Sequence, residues 1–294
     1  MSEIKNKLKK FIKDTEDNKS SHWIHHLDGQ NFEDIYHGMG FGSFAKKTLV
    51  KSVVHKLLAT LTFGLDIFNS KEYLAYKKIF DKMNRQIDTD ALRHIFTFKL
   101  LKKYSNAKNI CVIGDGKSNF VLGAIMLQPE SKIFSINLSE TLINDYLILK
   151  KFKILDDHHI QVITSINDKI NFDKKLFLIP SSLKKFLLNV DIDLFANIAS
   201  FQEMNIDEIK NYMDIIKQKK TLFYCCNREY KKLYGQEELY FDKYPWGDGL
   251  KIFEENCPWH QKYYSFKPNF IHKYDGNIKH CLVNYNYAKK YDQT

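Results

Sequence analysis

Residues 110–120 read Ile-Cys-Val-Ile-Gly-Asp-Gly-Lys-Ser-Asn-Phe, an apolar run that enters a glycine turn and then a second, largely apolar segment. The pattern predicts a strand, a tight turn and a helix, in that order. At such a junction the backbone amides and the positive end of the helix lie close to a bound ligand. We expect a mononucleotide-like cofactor here, although the third glycine of the dinucleotide fingerprint is replaced by Asn119. The residues expected to contact it are Gly114, Asp115, Gly116 and Asn119.

Beyond residue 109, short apolar runs alternate with helical patterns, which is typical of a parallel sheet covered by helices. The predicted strands are 109–114, 132–137, 160–164, 193–198 and 221–226, and the predicted helices are 119–127, 140–152 and 205–219. Residues 175–180 fit either a further strand or an extended link. The turn Asp275-Gly276-Asn277 predicts a C-terminal antiparallel hairpin of 270–275 with 279–286. The expected fold class is therefore α/β, with a mostly parallel, Rossmann-like sheet.

The N-terminal third of the chain has a helical pattern. Residues 46–61 carry Leu and Val at three-and-four spacing, which predicts an amphipathic helix whose apolar face is packed. Residues 71–83 and 90–104 repeat the pattern, the latter with Thr89 or Asp90 as N-cap. We therefore divide the chain into a helical N-terminal cap region, 1–107, and a sheet domain, 108–294.

Polar residues follow the predicted strands at the edge where open α/β folds bind ligands. Asn137 stands roughly twenty residues after the glycine turn, where Rossmann-type sites place an acid that holds the ribose. An amide can still exchange hydrogen bonds with a diol, and Ser139 is near enough to help. Ser165 follows the third strand, where an adenine would lie. The run 193–204 then brings four more polar residues to this edge: Asn197, Ser200, Gln202 and Glu203.

Charge and cysteine content limit the partners and the compartment. Lys plus Arg number 45 against 35 Asp plus Glu, a formal charge of +10, but lysines are spread along the whole chain. Since phosphate-reading surfaces are clustered and rich in arginine, we expect no nucleic-acid partner. The five cysteines form no CxxC pair, and an odd number cannot all pair within one chain. With a charged N-terminus and no transmembrane segment, the sequence predicts a cytoplasmic protein and leaves a homodimer open.

The motif at 110–120, the run 193–204 and the stretch Cys225-Cys226-Asn227-Arg228 together resemble the class I S-adenosylmethionine-dependent methyltransferases, and within them the bacterial sugar O-methyltransferases. Trp23 and Tyr244-Pro-Trp246 are similar to less specific landmarks of that family. The resemblance implies S-adenosyl-L-methionine as cofactor, with Asn197 among its contacts. It also implies a sugar, nucleotide-sugar or glycan acceptor in surface-glycan biosynthesis, such as capsule or O-antigen. The chain departs from the family pattern at Val112 and Asn137, where acids are usual.

Methyl transfer to a hydroxyl needs positioning and a base that accepts the alcohol proton. Glu203 is the first candidate, since a partly buried carboxylate has a raised pKa; a first-turn helix acid is the alternative. His26, from a group of N-terminal histidines, is the second candidate. Acceptor contacts are expected from Ser200, Gln202, Tyr244 and Trp246, although core packing also explains such aromatic residues. No tight carboxylate cluster is present, and we expect no metal.

Two other classes of protein use a similar pocket. An NAD-dependent sugar oxidoreductase would share the glycine turn, and Tyr146 with Lys150 matches the spacing of a Tyr-x-x-x-Lys relay. That pair follows the second strand, which is too early in the chain for the usual arrangement. A non-catalytic partner protein that binds the cofactor without turnover is the third class.

Overall fold

The computed structural model describes residues 3–14, 20, 23–24, 48–116, 118–235, 237–265 and 268–287. Its α-helices are α1 (Glu3–Lys9), α2 (Leu49–Phe63), α3 (Lys71–Lys82), α4 (Thr89–Leu101), α5 (Asn119–Leu127), α6 (Ser139–Lys151) and α7 (Ile206–Lys219). Its strands are β1 (Asn109–Ile113), β2 (Lys132–Asn137), β3 (Ile160–Val162), β4 (Leu176–Pro180), β5 (Leu194–Ile198), β6 (Leu222–Arg228), β7 (Tyr230–Lys232), β8 (Glu238–Tyr240), β9 (Leu250–Asn256), β10 (Lys262–Tyr264), β11 (Ile271–Lys273) and β12 (Ile278–Asn284). Short 3-10 segments cover Asp66–Asn69, Asp157–His159, Ser181–Asn189, Phe201–Glu203 and Phe241–Lys243. Within these ranges we find no helix whose length and hydropathy would let it cross a bilayer.

Eight strands form one sheet in the order β3-β4-β2-β1-β5-β6-β12-β9. The first six of these are parallel to one another, which confirms the predicted α/β class. The segment 175–180 was predicted as either a strand or a link, and its residues Leu176–Pro180 form β4, which pairs with both β2 and β3. Strand β1 lies between β2 and β5. The strands β2, β3 and β4 therefore lie on one side of β1, and the strands from β5 onward in this sheet lie on the other. This change of side is the topological switch point, where α/β sheets bind ligands at the carboxyl ends of their strands.

The predicted C-terminal hairpin is wrong in its pairing. Strand β12 is antiparallel, but its partners are β6 and β9. The segment expected to pair with it, β11, instead pairs with β10 in a separate two-stranded sheet. The middle of β12 is fully buried at Cys281, Leu282 and Val283, and two long neighbours satisfy both of its edges, which an edge hairpin would not do. The turn at Gly276 therefore connects the two sheets.

Both faces of the sheet are covered by other elements. Alternate residues of β1 are therefore buried on opposite sides of the sheet. Ile110 and Val112 belong to the core under α3, α4, α5 and α6, whereas Cys111 and Ile113 belong to the core under α7. The N-terminal helices α3 and α4 pack against α5 and share its core. The helical region is therefore built onto one face of the sheet, while the division at residue 107 stays a prediction.

The predicted apolar face of the first long helix is only partly correct. Helix α2 buries Leu58 and His55, whose ring accepts or donates a hydrogen bond at 2.9 Å with the Tyr264 hydroxyl. Leu49 and Val53, which the pattern assigned to the packed face, are 83% and 64% exposed in the part of the chain that the structure describes. The apolar residues of α2 form two neighbouring stripes along the helix. Only the stripe that contains Leu58 packs against other described residues, and the stripe that contains Leu49 and Val53 is exposed.

Gly123 in α5 allows the N-terminal helices to approach the sheet. A Cβ at this position would lie 2.1 Å from Tyr76 Oη and 2.5 Å from Phe98 Cε2. Alanine gains about 0.8–1 kcal/mol of helix propensity, but overpacking a rigid core costs about 1–3 kcal/mol. We expect Gly123→Ala to lower the free energy of unfolding, measured by urea denaturation. Adding Tyr76→Phe should restore part of the loss, and a Gly123→Ala protein more stable than wild type would contradict this packing.

Candidate functional site

A cavity of about 310 Å³ lies at the carboxyl ends of β1, β5 and β6, beside the switch point. Helix α4 covers it from the N-terminal side through Asp90, Arg93 and His94. The volume falls at the lower end of the roughly 300–1,000 Å³ typical of small-molecule sites. Its walls combine apolar and polar side chains: Trp23, Val112, Phe120, Ala196, Ile198, Tyr274 and Ile278 with Asp115, Asn119, Gln202, Glu203, Cys226, Arg228 and His260.

The glycine turn forms one wall of the cavity. Gly114 has φ +75°, and a Cβ there would lie 1.8 Å from Ser200 Oγ. Only glycine therefore allows the loop after β5 to pack against the end of β1. Gly114, Asp115, Gly116 and Asn119, the residues predicted from the motif, all line the cavity.

The Asp115 carboxylate occupies the start of α5. It accepts a hydrogen bond of 2.7 Å from the Val121 amide, which is one of the unpaired donors of the first turn. Asn119 contributes its carbonyl to the Tyr76 hydroxyl at 2.9 Å. The helix terminus that could hold an anionic group thus already carries a carboxylate, so a pyrophosphate would meet like charge there. The turn suits a neutral or cationic part of a ligand better.

The residues predicted to hold a ribose lie outside this cavity. Asn137 is buried; its Nδ2 donates to the Asp115 carbonyl at 3.4 Å and its Oδ1 accepts from the Leu138 amide at 2.9 Å. Ser139 is fully buried, and its Oγ has no hydrogen-bond partner among the described residues. Asn137 instead lines a smaller cavity of about 30 Å³, which shares Trp23 and Glu203 with the larger one as common walls.

Glu203 separates the two cavities. It ends the 3-10 segment after β5, and its carbonyl accepts a hydrogen bond from the Ser20 hydroxyl of the N-terminal region. Burial raises the pKa of the Glu203 carboxyl to about 7, although Lys231 and Arg228 act in the opposite direction. A carboxyl with this pKa exchanges protons near neutral pH.

The other polar residues that follow β5 differ in whether they reach the cavity. Gln202 lines the cavity, and its Oε1 accepts from the Arg228 amide at 2.8 Å. Ser200 lines only the smaller cavity. Asn197 is fully buried beneath both, where it donates to the Ile113 carbonyl and accepts from the Phe201 amide and Asn227 Nδ2 at 2.8–3.1 Å. It holds the loop in place but has no face on the cavity.

Three further predicted residues lie away from the cavity, and one lies outside the described residues. Tyr244 and Trp246 belong to the core on the opposite face of the sheet, and Trp246 Nε1 donates to the Phe241 carbonyl at 2.9 Å. Ser165 is half-buried in the turn after β3. His26 is the residue outside the described ranges.

Sequence reasoning missed the contribution of α4. Asp90, Arg93 and His94 stand at i, i+3 and i+4, so they share one helix face, although most of the helix is apolar. Burial lowers the pKa of His94 to about 4, and its Nδ1 has no hydrogen-bond partner among the described residues. His94 is therefore a buried, neutral imidazole at the cavity wall. The polar stripe within an apolar helix was the available signal.

Two guanidinium groups line the cavity and lie near the ring of Tyr274. Their carbon atoms lie 4.9 Å (Arg93) and 5.6 Å (Arg228) from the centre of its ring. Arg93 is paired with Asp90 at 2.9 Å and donates to the carbonyls of Trp259 and Lys262. Arg228 donates to the Asp275 carbonyl at 2.9 Å. Arg228 thus brings positive charge to the cavity wall, where it acts to lower the pKa of the Glu203 carboxyl.

Comparisons with known proteins give likenesses in fold only. No family model matches the chain, and no curated protein matches it. Among solved structures, TrmK of M. capricolum in complex with the cofactor product S-adenosyl-homocysteine is 14% identical, with 67% of this chain and 71% of that chain covered and a TM-score of 0.40. The N-methyltransferase NodS from Bradyrhizobium japonicum WM9 is 9% identical over 67% and 96%, with a TM-score of 0.42. A SAM dependent methyltransferase from Aquifex aeolicus is 12% identical over 71% and 97%, with a TM-score of 0.39.

Proposed function

We propose that this protein is an S-adenosyl-L-methionine-dependent O-methyltransferase whose acceptor is a hydroxyl of a sugar, nucleotide sugar or glycan. The observation that carries the proposal is the cavity at the switch point, which the glycine turn lines on one side and Glu203 on another.

The charges at the glycine turn favour this donor over a nicotinamide dinucleotide. A dinucleotide site places a pyrophosphate at the helix N-terminus. Here the Asp115 carboxylate accepts the Val121 amide at that position. An amino group or a sulfonium carries positive charge and is attracted to a carboxylate, whereas a pyrophosphate is repelled by it.

Gly114, Asp115, Gly116 and Asn119, which line the cavity, would hold the donor, and Asn197 braces the loop beneath. Asn137, Ser139 and Ser165 do not line this cavity, so their contacts with the donor's ribose and adenine stay predictions. When bound, S-adenosyl-L-methionine supplies an electrophilic methyl group on sulfur. The residues of this chain orient the acceptor hydroxyl and exclude water, which accounts for much of the acceleration in a displacement reaction. Trp23 closes the cavity on the N-terminal side.

Glu203 is the proposed base. Its carboxylate would accept the hydroxyl proton at Oε as the new bond to carbon forms, and His26 stays the second candidate. Ser200, Gln202, Tyr244 and Trp246 were predicted to contact the acceptor; of these, Gln202 faces the cavity. Arg228 adds a charge that can meet the phosphate of a nucleotide-linked sugar. We further propose a cytoplasmic enzyme of surface-glycan biosynthesis with no nucleic-acid partner, and a homodimer stays open.

A transfer assay tests the proposal. The protein is incubated with methyl-labelled S-adenosyl-L-methionine and a panel of nucleotide sugars, free sugars, glycan fragments and, as the contrasting class, a structured RNA. Mass spectrometry then locates the label. We expect label on a sugar hydroxyl and a matching yield of S-adenosylhomocysteine. Label on RNA or on an amine would refute the acceptor class, and binding of the donor with no transfer to any acceptor would favour the non-catalytic class.

A further inference from the structure

Two thiols and an imidazole meet at the wall of the cavity, in a place where the proposed transfer reaction gives them no role. Cys226 lies near the end of β6, while Cys257 and His260 belong to the turn Cys257-Pro-Trp-His260 that follows β9. All three are buried, and their ligand atoms lie within 4.8 Å of one another. His260 Nδ1 is 3.1 Å from Cys257 Sγ and 3.6 Å from Cys226 Sγ.

These distances match the ligand spacing of a tetrahedral zinc site. With Zn–S of about 2.3 Å and Zn–N of about 2.0–2.1 Å, a tetrahedral angle places sulfur and nitrogen about 3.6 Å apart. The Cys226 pair has this separation, and the Cys257 pair needs to open by about half an ångström. Thiolate and imidazole together select zinc and other soft ions over magnesium or calcium.

The backbone holds the three ligands in place independently of any ion. The Cys257 amide donates to the Ile278 carbonyl at 2.8 Å, which ties the turn to β12, and the His260 amide donates to the Cys257 carbonyl at 3.2 Å. Strand β12 in turn pairs with β6, the strand that carries Cys226. Cys257 and His260 follow Cys226 by 31 and 34 residues in the sequence and are joined to it through β12.

The neighbouring His280 has a partner at each ring nitrogen and also interacts with the Cys257 thiol, but it does not belong to the group of three whose ligand atoms lie within 4.8 Å of one another. His280 Nδ1 contacts the Tyr224 hydroxyl at 3.1 Å, and its Nε2 contacts Glu255 Oε1 at 3.3 Å. Cys226 and His260, in contrast, line the main cavity. A tetrahedral ion with three protein ligands keeps a fourth position for water or a substrate atom, and here that position faces the cavity.

We propose that Cys226, Cys257 and His260 bind a zinc ion whose fourth coordination position opens into the cavity. This site departs from our expectation of no metal, which considered only carboxylate ligands and the absence of a CxxC pair. The Cys-x-x-His spacing of residues 257–260 was the sequence signal. The proposal does not depend on the transfer activity, because an ion can bind here whatever the cavity accepts.

Metal content and cobalt spectroscopy test the site. The reduced, full-length protein is stripped with a chelator, reloaded with zinc or cobalt(II), and analysed by mass spectrometry of the metal. We expect one ion per chain and, with cobalt, thiolate-to-metal charge-transfer absorption together with intense visible bands of tetrahedral coordination. Zinc should also raise the melting temperature of the stripped protein, because binding to the folded state stabilises it. Imidazole should change the visible bands by entering the open position.

Matched variants show which thiol is involved. Cys226→Ser, Cys257→Ser and His260→Gln should each weaken zinc binding by more than the roughly 10–100-fold loss typical of changes to residues that only support the ligands. Cys225→Ser is the control, since Cys225 adjoins Cys226 but belongs to the core on the opposite face of the sheet. It should bind zinc as wild type does.

Several results would overturn the proposal. Wild-type protein that takes up neither zinc nor cobalt after reduction has no such site, whether or not the variants fold. A Cys226–Cys257 disulfide found by peptide mapping of the purified protein, with no metal uptake after its reduction, would assign the pair to redox chemistry instead. Cobalt bands that imidazole leaves unchanged would contradict the open position. None of these results bears on whether the protein transfers methyl groups, so the two proposals fail separately.

Discussion

Gly116→Val is expected to lower the affinity for S-adenosylhomocysteine by about tenfold to a hundredfold while the protein stays folded. Gly116 lines the cavity within the glycine turn. Forcing a branched side chain into such a space costs about 1–3 kcal/mol, and each 1.4 kcal/mol is about tenfold in affinity. Calorimetric titration measures the affinity, and circular dichroism checks the fold. Gly114 is a poorer probe, since any side chain there would collide with Ser200 and strain the backbone.

Asn106→Val serves as the control for this variant. Asn106 is exposed in the loop before β1, at the amino end of that strand, whereas the cavity lies at its carboxyl end. This variant introduces the same valine side chain away from the proposed donor site, so its affinity for S-adenosylhomocysteine should equal that of wild type. If Gly116→Val binds as tightly as Asn106→Val, the glycine turn does not contact the donor.

Glu203→Gln is expected to slow turnover by about a hundredfold or more with the affinity for the donor retained. Glutamine has a similar shape but cannot accept the proton. The pH dependence adds a second signature: because the base must be ionised and its pKa is raised to about 7, the wild-type rate should rise with pH through about 7 and then level off. The variant should lose this rise. Rates are measured at saturating donor and acceptor.

Asp207→Asn distinguishes catalysis from a helix-terminus effect. Asp207 is an exposed first-turn acid of α7, four residues beyond Glu203. If Glu203 mattered only through the helix dipole, both variants would change stability by comparable amounts and neither would change the pH profile. A Glu203→Gln protein of full activity, alongside a slow His26→Gln protein, would assign the base to His26.

Between residues 109 and 226 the order of strands and helices followed from local signals, whereas β7 to β10 were not predicted. The apolar runs at 109–114 and 132–137 are long and bounded by turn residues, and the helix at 119–127 begins and ends where predicted. The pairing of β12 did not follow, because the Asp-Gly-Asn turn describes only neighbouring residues. Which strands β12 joins depends on burying both of its faces and both of its edges, and that is a property of the assembled sheet.

The site was predictable where residues are close in sequence. The glycine turn and Glu203 follow directly from strand ends, and both reach the cavity. Tyr244 and Trp246 were chosen for their chemistry alone, and the fold places them in the opposite core. Arg93 and His260 reach the cavity only through long-range packing of α4 and of the turn after β9. No pattern within a single sequence specifies such packing. A polar residue such as Arg93 within a largely apolar helix is nevertheless a signal that can be read from the sequence.

The central claim is that the cavity beside the glycine turn binds the adenosyl methyl donor, and calorimetric titration of the wild-type protein tests it most directly. S-adenosylhomocysteine and NAD are titrated in parallel into the same folded sample. The account predicts saturable binding of one S-adenosylhomocysteine per chain and none of NAD. Saturable binding of NAD, or no heat from S-adenosylhomocysteine and no change in melting temperature with it, would contradict the account.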